Sequence, residues 1–131
     1  MIIGPSGRPY DLLPIDNAAG FPQRFPFLLN GVSYEFSLYA NIPESRLGPI
    51  DELMDLPDGK RLEDQRFLVL RIDVLGTGGT QQTIFLRKVV RKGEYEIGGL
   101  ALYFDKQIIA RRNLNNPGNF GSTLVGGVTS L

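Results

Sequence analysis

Period-two alternation dominates the first half of the chain. Phe25, Phe27 and Leu29 fall on one face of a candidate strand, and after Asn30-Gly31 the residues Val32, Tyr34, Phe36, Leu38 and Ala40 alternate with Ser33, Glu35 and Ser37. Strand side chains point alternately to opposite faces, so this pattern describes two half-buried strands. Asn-Gly accepts the positive φ of a type I′ turn, whose twist matches that of paired strands, and a β-hairpin over 24–40 is predicted. Pro26 has no N–H for a ladder bond, which makes the first strand an edge or makes it begin there.

Residues 67–75 (FLVLRIDVL) and 82–90 (QTIFLRKVV) are strongly β-favouring and flank a glycine-rich 76–80 loop, predicting a second hairpin. Residues 100–104 (LALYF) and 107–112 (QIIARR) flank Asp105-Lys106 and predict a third, shorter one. In the acidic insert 43–66, Pro49 stands at a plausible first helical position, Asp51 and Glu52 suit the helix dipole, and Ile50, Leu53 and Met54 are apolar. One short helix over 50–56 is predicted, ended by Pro57 and Asp58-Gly59.

The two ends read differently. Residues 1–24 carry Pro5, Pro9, Pro14 and Pro22 with Gly4, Gly7 and Gly20, a density that predicts an extended N-terminal arm. Its apolar residues, Leu12 and Leu13 among them, are expected to pack on the domain or on a neighbour, because a disordered tail is usually poorer in such side chains. Residues 113–131 turn to Asn, Gly and Ser without periodicity and predict a second arm, flexible or extended. The expected organisation is thus a β domain over 25–112 between two arms. Its fold class is all-β: a mostly antiparallel β-sandwich or small barrel of about six strands with one short helix.

Composition then removes most chemistry. The 131 residues include no Cys and no His, which excludes thiol and imidazole nucleophiles, thiolate or imidazole zinc sites and disulfides. Neither a Ser-x-x-Lys nor a Gly-x-Ser-x-Gly elbow is present. Gly76-Thr77-Gly78-Gly79 is followed by a strand-like segment instead of the helix a phosphate cradle needs, and reads as a hairpin loop. Asp51-Glu52-x-x-Asp55-x-x-Asp58-Gly59 lacks the order of a calcium loop and reads as a solvated acidic face. No catalytic residue, cofactor or metal is expected.

Lys+Arg and Asp+Glu are both 14, so the overall basic field typical of nucleic-acid binding is missing. The charge is nevertheless segregated: 43–66 is acidic, whereas Arg87, Lys88, Arg91, Lys92, Arg111 and Arg112 make the C-terminal half basic. Arg87 and Lys88 fall on opposite faces of one strand, so they form no single stripe. Two readings stand, solvated strand ends or opposite poles that orient docking between subunits. No signal-like start or membrane-length apolar stretch is apparent, and a soluble protein without membrane, specific nucleic-acid or small-molecule partners is expected.

The segment Gln23-Arg24-Phe25-Pro26-Phe27-Leu28-Leu29-Asn30-Gly31-Val32-Ser33-Tyr34-Glu35-Phe36-Ser37-Leu38 resembles the opening hairpin of the bacteriophage baseplate plug family. Leu100 to Ile109, followed by Arg112-Asn113-Leu114, is similar to that family's strand, Asp-containing turn and apolar strand. The likeness covers about half the chain, on motifs any β-meander could supply; the chain departs from the family in having no Trp and in its larger acidic insert. The resemblance implies a non-enzymatic virion subunit of a tail or baseplate, made in the host cytoplasm and held by other virion proteins or copies of itself. Leu12, Leu13, Leu114, Phe120 and Leu124 on the arms, with the six basic residues above, are the expected interface. A capsid-decorating or soluble adaptor module, or a small enzyme, are the other readings.

Overall fold

The structure, a computed structural model, describes residues 1–57 and 65–131. These form ten strands: β1 (Ile2–Ile3), β2 (Pro9–Leu12), β3 (Gln23–Leu29), β4 (Val32–Asn41), β5 (Leu53–Asp55), β6 (Phe67–Leu75), β7 (Gln81–Val89), β8 (Glu94–Ile97), β9 (Leu100–Ala110) and β10 (Thr123–Ser130). One antiparallel sheet runs β3-β4-β6-β7; the other runs β1-β2-β10-β9, with β5 and β8 both pairing along the remaining side of β9. The inner faces meet in one core, with Phe36, Leu38, Leu68, Leu70 and Ile72 from the first sheet against Met54, Leu102, Phe104, Ile109 and Val128 from the second. The all-β sandwich expected from the alternation is therefore the fold.

The 24–40 hairpin forms as β3 and β4, with Leu29 opposite Val32 and both turn residues at positive φ, Asn30 at 52° and Gly31 at 77°. β3 is an edge strand, which accommodates Pro26. β6 and β7 form the second hairpin around the exposed 76–80 loop.

The third predicted hairpin does not exist. Residues 100–110 are one strand, and Asp105 is an extra residue at a β-bulge, because Gly126 pairs with Phe104 and Val125 with Lys106. The bulge switches the inward set from Leu100, Leu102 and Phe104 to Gln107 and Ile109. That phase change is what resembles a turn in the sequence. A tight hairpin lies just before it, where Gly98 and Gly99, both at positive φ, join β8 to β9 with Ile97 opposite Leu100.

The predicted helix over 50–56 is also corrected. A turn closed by Glu52 N–H donating to the Pro49 carbonyl leads into β5, whose Leu53 pairs with Ala110 and Asp55 with Ile108. Met54 and Leu56 are buried while Leu53 and Asp55 are exposed, so the segment alternates with period two once β9 offers it a ladder. The part of the acidic insert that carries Asp58, Gly59, Lys60, Arg61, Glu63 and Asp64 lies outside the described residues.

Neither end is a free-standing arm. β10 occupies the middle of the larger sheet, between β2 and β9. Before it, the fully buried Asn113 organises the loop: its Nδ2 donates to the carbonyls of Asn116 and Gly118, and its Oδ1 accepts from the Ser122 hydroxyl. Phe21 N–H donates to the Asn113 carbonyl and Asn115 N–H to the Phe21 carbonyl, stitching the two ends together.

Gly126 and Gly127 explain how β10 fits. A Cβ at Gly126 would lie 2.7 Å from the Phe104 ring on the core side, and one at Gly127 would lie 2.6 Å from the Tyr10 Cβ on the other side. Tyr10 and Ile2 pack there with Ala101 and Tyr103 as a second small core. Gly127→Val should therefore displace the β1–β2 hairpin and lower stability by about 1–3 kcal/mol. Urea unfolding measures the loss, and hydrogen exchange should rise more in residues 2–12 than in the β3–β4 hairpin.

Candidate functional site

The residues expected at an interface are spread over the molecule, and most are engaged within the chain. Leu13 and Leu124 are core residues, Leu114 packs against the core, and Leu12 is exposed. The Arg87 guanidinium lies 5.1 Å from the Tyr95 ring centre and 6.0 Å from that of Phe85, while Lys88, on the opposite face, sits 5.4 Å from the Phe67 ring centre. Arg91 is 4.0 Å from Asp55, Lys92 pairs with Asp105, and Arg111 donates to the Gly48 carbonyl. Arg112 donates through two nitrogens to one oxygen of Asp51, at 2.8 and 2.9 Å, and stacks at 5.8 Å over Phe120. Asp51 and Asp55 of the acidic insert thus meet basic residues of the same chain.

One surface brings three of these elements together. The turn before β5 supplies Ile50 and Asp51, β5 supplies Leu53, and Arg112 and Phe120 come from the segment between β9 and β10. They surround an open depression of about 300 Å³. Gly121, at φ 100°, brings the Phe120 loop against Leu53, where an added Cβ would lie 3.1 Å from the leucine methyl. Ile50 and Leu53 are each 53% exposed, and Glu52 Oε2 beside them is buried with no hydrogen-bond partner among the described residues. The rim therefore offers apolar area fixed by a salt bridge and a ladder.

A polar cluster lies on the outer face of the larger sheet. The Tyr10 and Tyr103 rings are 5.5 Å apart; Tyr10 donates to Glu94 Oε2 at 2.5 Å and Tyr103 to Asp105 Oδ1 at 3.1 Å. Ser6 donates to Glu94 through both its N–H and its hydroxyl, and Arg8 pairs with Glu96 at 3.1 Å. Bonds from Ser6 and Tyr10 hold the Glu94 carboxyl below its ordinary range, and Lys92 does the same for Asp105. Burial, reinforced by Glu94 and Asp105 respectively, raises the Tyr10 and Tyr103 phenols. Such phenols are poor bases and such carboxylates poor acids near neutrality, so the cluster is suited to fastening the N-terminal hairpin over the sheet.

The buried Asp73, on the outer face of the smaller sheet, follows the same logic. Burial alone would raise it, but Thr83 at 2.6 Å, Arg71 at 3.1 Å and Gln81 at 2.5 Å outweigh that and hold it below the ordinary range. Among the described residues no group of three acidic side chains converges as a metal site would require. Asp73, Glu94, Gln107 and Asn113 escaped the sequence reading; the one signal present was an Asp interrupting an apolar strand run at 67–75. No protein-family model, curated protein or solved structure matches the chain.

The Glu94 cluster sets an acid sensitivity. Its carboxyl titrates lower in the folded than in the unfolded chain, so its stabilisation is present above the ordinary carboxylate range and is lost as pH falls through the folded value. Glu94→Gln should be less stable than wild type at neutral pH, and the difference should shrink towards about pH 3. Thermal unfolding across that range measures it.

Proposed function

We propose that the protein is a non-enzymatic structural subunit of a phage-like virion, a tail or baseplate component that docks on a neighbouring subunit. The virion setting is supported by the likeness of residues 23–38, which fold as the β3–β4 hairpin, to the baseplate plug family. The second stretch of that likeness contributes less, since its turn is a bulge within β9. Of the expected arm residues Phe120 borders the docking surface, whereas Leu13, Leu114 and Leu124 are packed on the chain's own core.

The observation that carries the reading is the pair of half-exposed apolar side chains, Ile50 and Leu53, around the depression braced by Arg112 and Asp51. Apolar area on a rigid rim suits an inserted apolar side chain of a neighbour. Charge then has an orienting role, with the lasting contact supplied by burial.

Leu53→Asp and Ile50→Asp test this, because both sites are exposed and the fold should survive. Each should weaken incorporation into particles at least about tenfold, since a carboxylate would be buried without a partner. Co-sedimentation with particles reads the effect, and normal incorporation of both variants overturns the docking surface. Density for the subunit on the capsid instead of the tail would overturn the tail assignment.

A further inference from the structure

The depression beside β5 offers three kinds of contact to whatever enters it. Ile50 and Leu53 give half-exposed apolar area on its rim. Arg112 gives a flat cation: its guanidinium already lies over the Phe120 ring at 5.8 Å, and its side chain is still 43% exposed. Asp51 gives an acceptor. The two Arg112 nitrogens that reach it, Nε and Nη2, both bond Oδ1, so Oδ2 has no hydrogen-bond partner among the described residues, and the side chain is 79% exposed. Asp51 touches Arg112 at 2.8 Å and follows Ile50 in the chain, and all three line the same depression, so one inserted group can meet them together.

An aliphatic side chain would use only the apolar rim, and a charged one would meet an ion pair that is already balanced. We propose that the occupant is an aromatic side chain that carries a donor, the indole of a Trp or the phenol of a Tyr on the neighbouring subunit. Such a ring has an apolar body for Ile50 and Leu53, a π face for the guanidinium, and one N–H or O–H to donate to Asp51 Oδ2. Trp and Tyr also serve widely as interface anchors, because they bring large contact area at small entropic cost. The inference rests on the docking reading of this surface and names the chemistry of its partner.

Titrating the ¹⁵N-labelled full chain with the N-acetyl amides of Trp, Tyr, Phe and Leu tests it. Saturable shifts are expected at the N–H groups of Leu53, Phe120 and Gly121 and at Arg112 Nε–H, with the Trp and Tyr amides about tenfold tighter than that of Leu. The Phe amide, a ring without a donor, should fall between them. Arg112→Lys keeps the positive charge but not the plane, and should cut the preference for Trp over Leu to about twofold. Leu amide binding as tightly as that of Trp, Phe amide as tightly as that of Tyr, no saturable shift at these positions, or the full preference in Arg112→Lys overturns the inference and leaves the docking surface in place. That surface falls separately, by normal incorporation of Leu53→Asp and Ile50→Asp, whatever the amides do.

Discussion

The molecule depends on the close approach of two aromatic residues to the backbone of β10, Phe104 by its ring and Tyr10 by its Cβ. Phe104 lies against Gly126 from the core and Tyr10 against Gly127 from outside, so the strand is clamped on both faces where it has no side chains of its own. The inner contact helps close the main core. The outer contact seats the β1–β2 hairpin, which in turn brings Ser6 and Arg8 to Glu94 and Glu96 of β8. Without the two glycines neither layer could reach the sheet at this spacing.

Charge is used mainly inward. Arg112 with Asp51 and Arg8 with Glu96 tie together segments far apart in sequence, while Lys92 with Asp105 and Arg71 with Asp73 act more locally. Exposed pairs such as Arg112 with Asp51 contribute little stability each, but this one fixes the loop geometry around the depression at Leu53. The surface proposed for docking is apolar at Ile50 and Leu53, a different character from the opposed poles suggested by the residue order.

The legible parts of the sequence were those in which the signal is local. Asn30-Gly31 and its flanking alternation specify β3 and β4 without reference to anything else in the chain. Leu53-Met54-Asp55 was illegible because apolar residues at 50, 53 and 54 fit a helical turn, and only the distant strand β9 decides for a ladder. Asp105 broke the alternation as a turn does, since a bulge and a turn share that local signature. β10 was hidden by its own Gly126-Gly127, residues that lower strand propensity yet are required by Phe104 and Tyr10. The candidate surfaces were harder still, because Ile50, Arg112 and Phe120 come together only through pairing across half the chain.

The place of β10 between β2 and β9 has a kinetic meaning. Gly127 pairs with Leu12, so the larger sheet is joined through one of the most sequence-distant pairings available to the chain. Closing so large a loop costs entropy before it gains contacts, and such topologies fold slowly. The β3–β4, β6–β7 and β8–β9 hairpins can form early from neighbouring residues, but the larger sheet lacks its middle strand, and the β1–β2 hairpin its seat, until 123–130 arrives. Until then the flank of β9 that β10 will cover is an open strand edge, and that interval is when a strand of another chain would most readily pair there in place of β10.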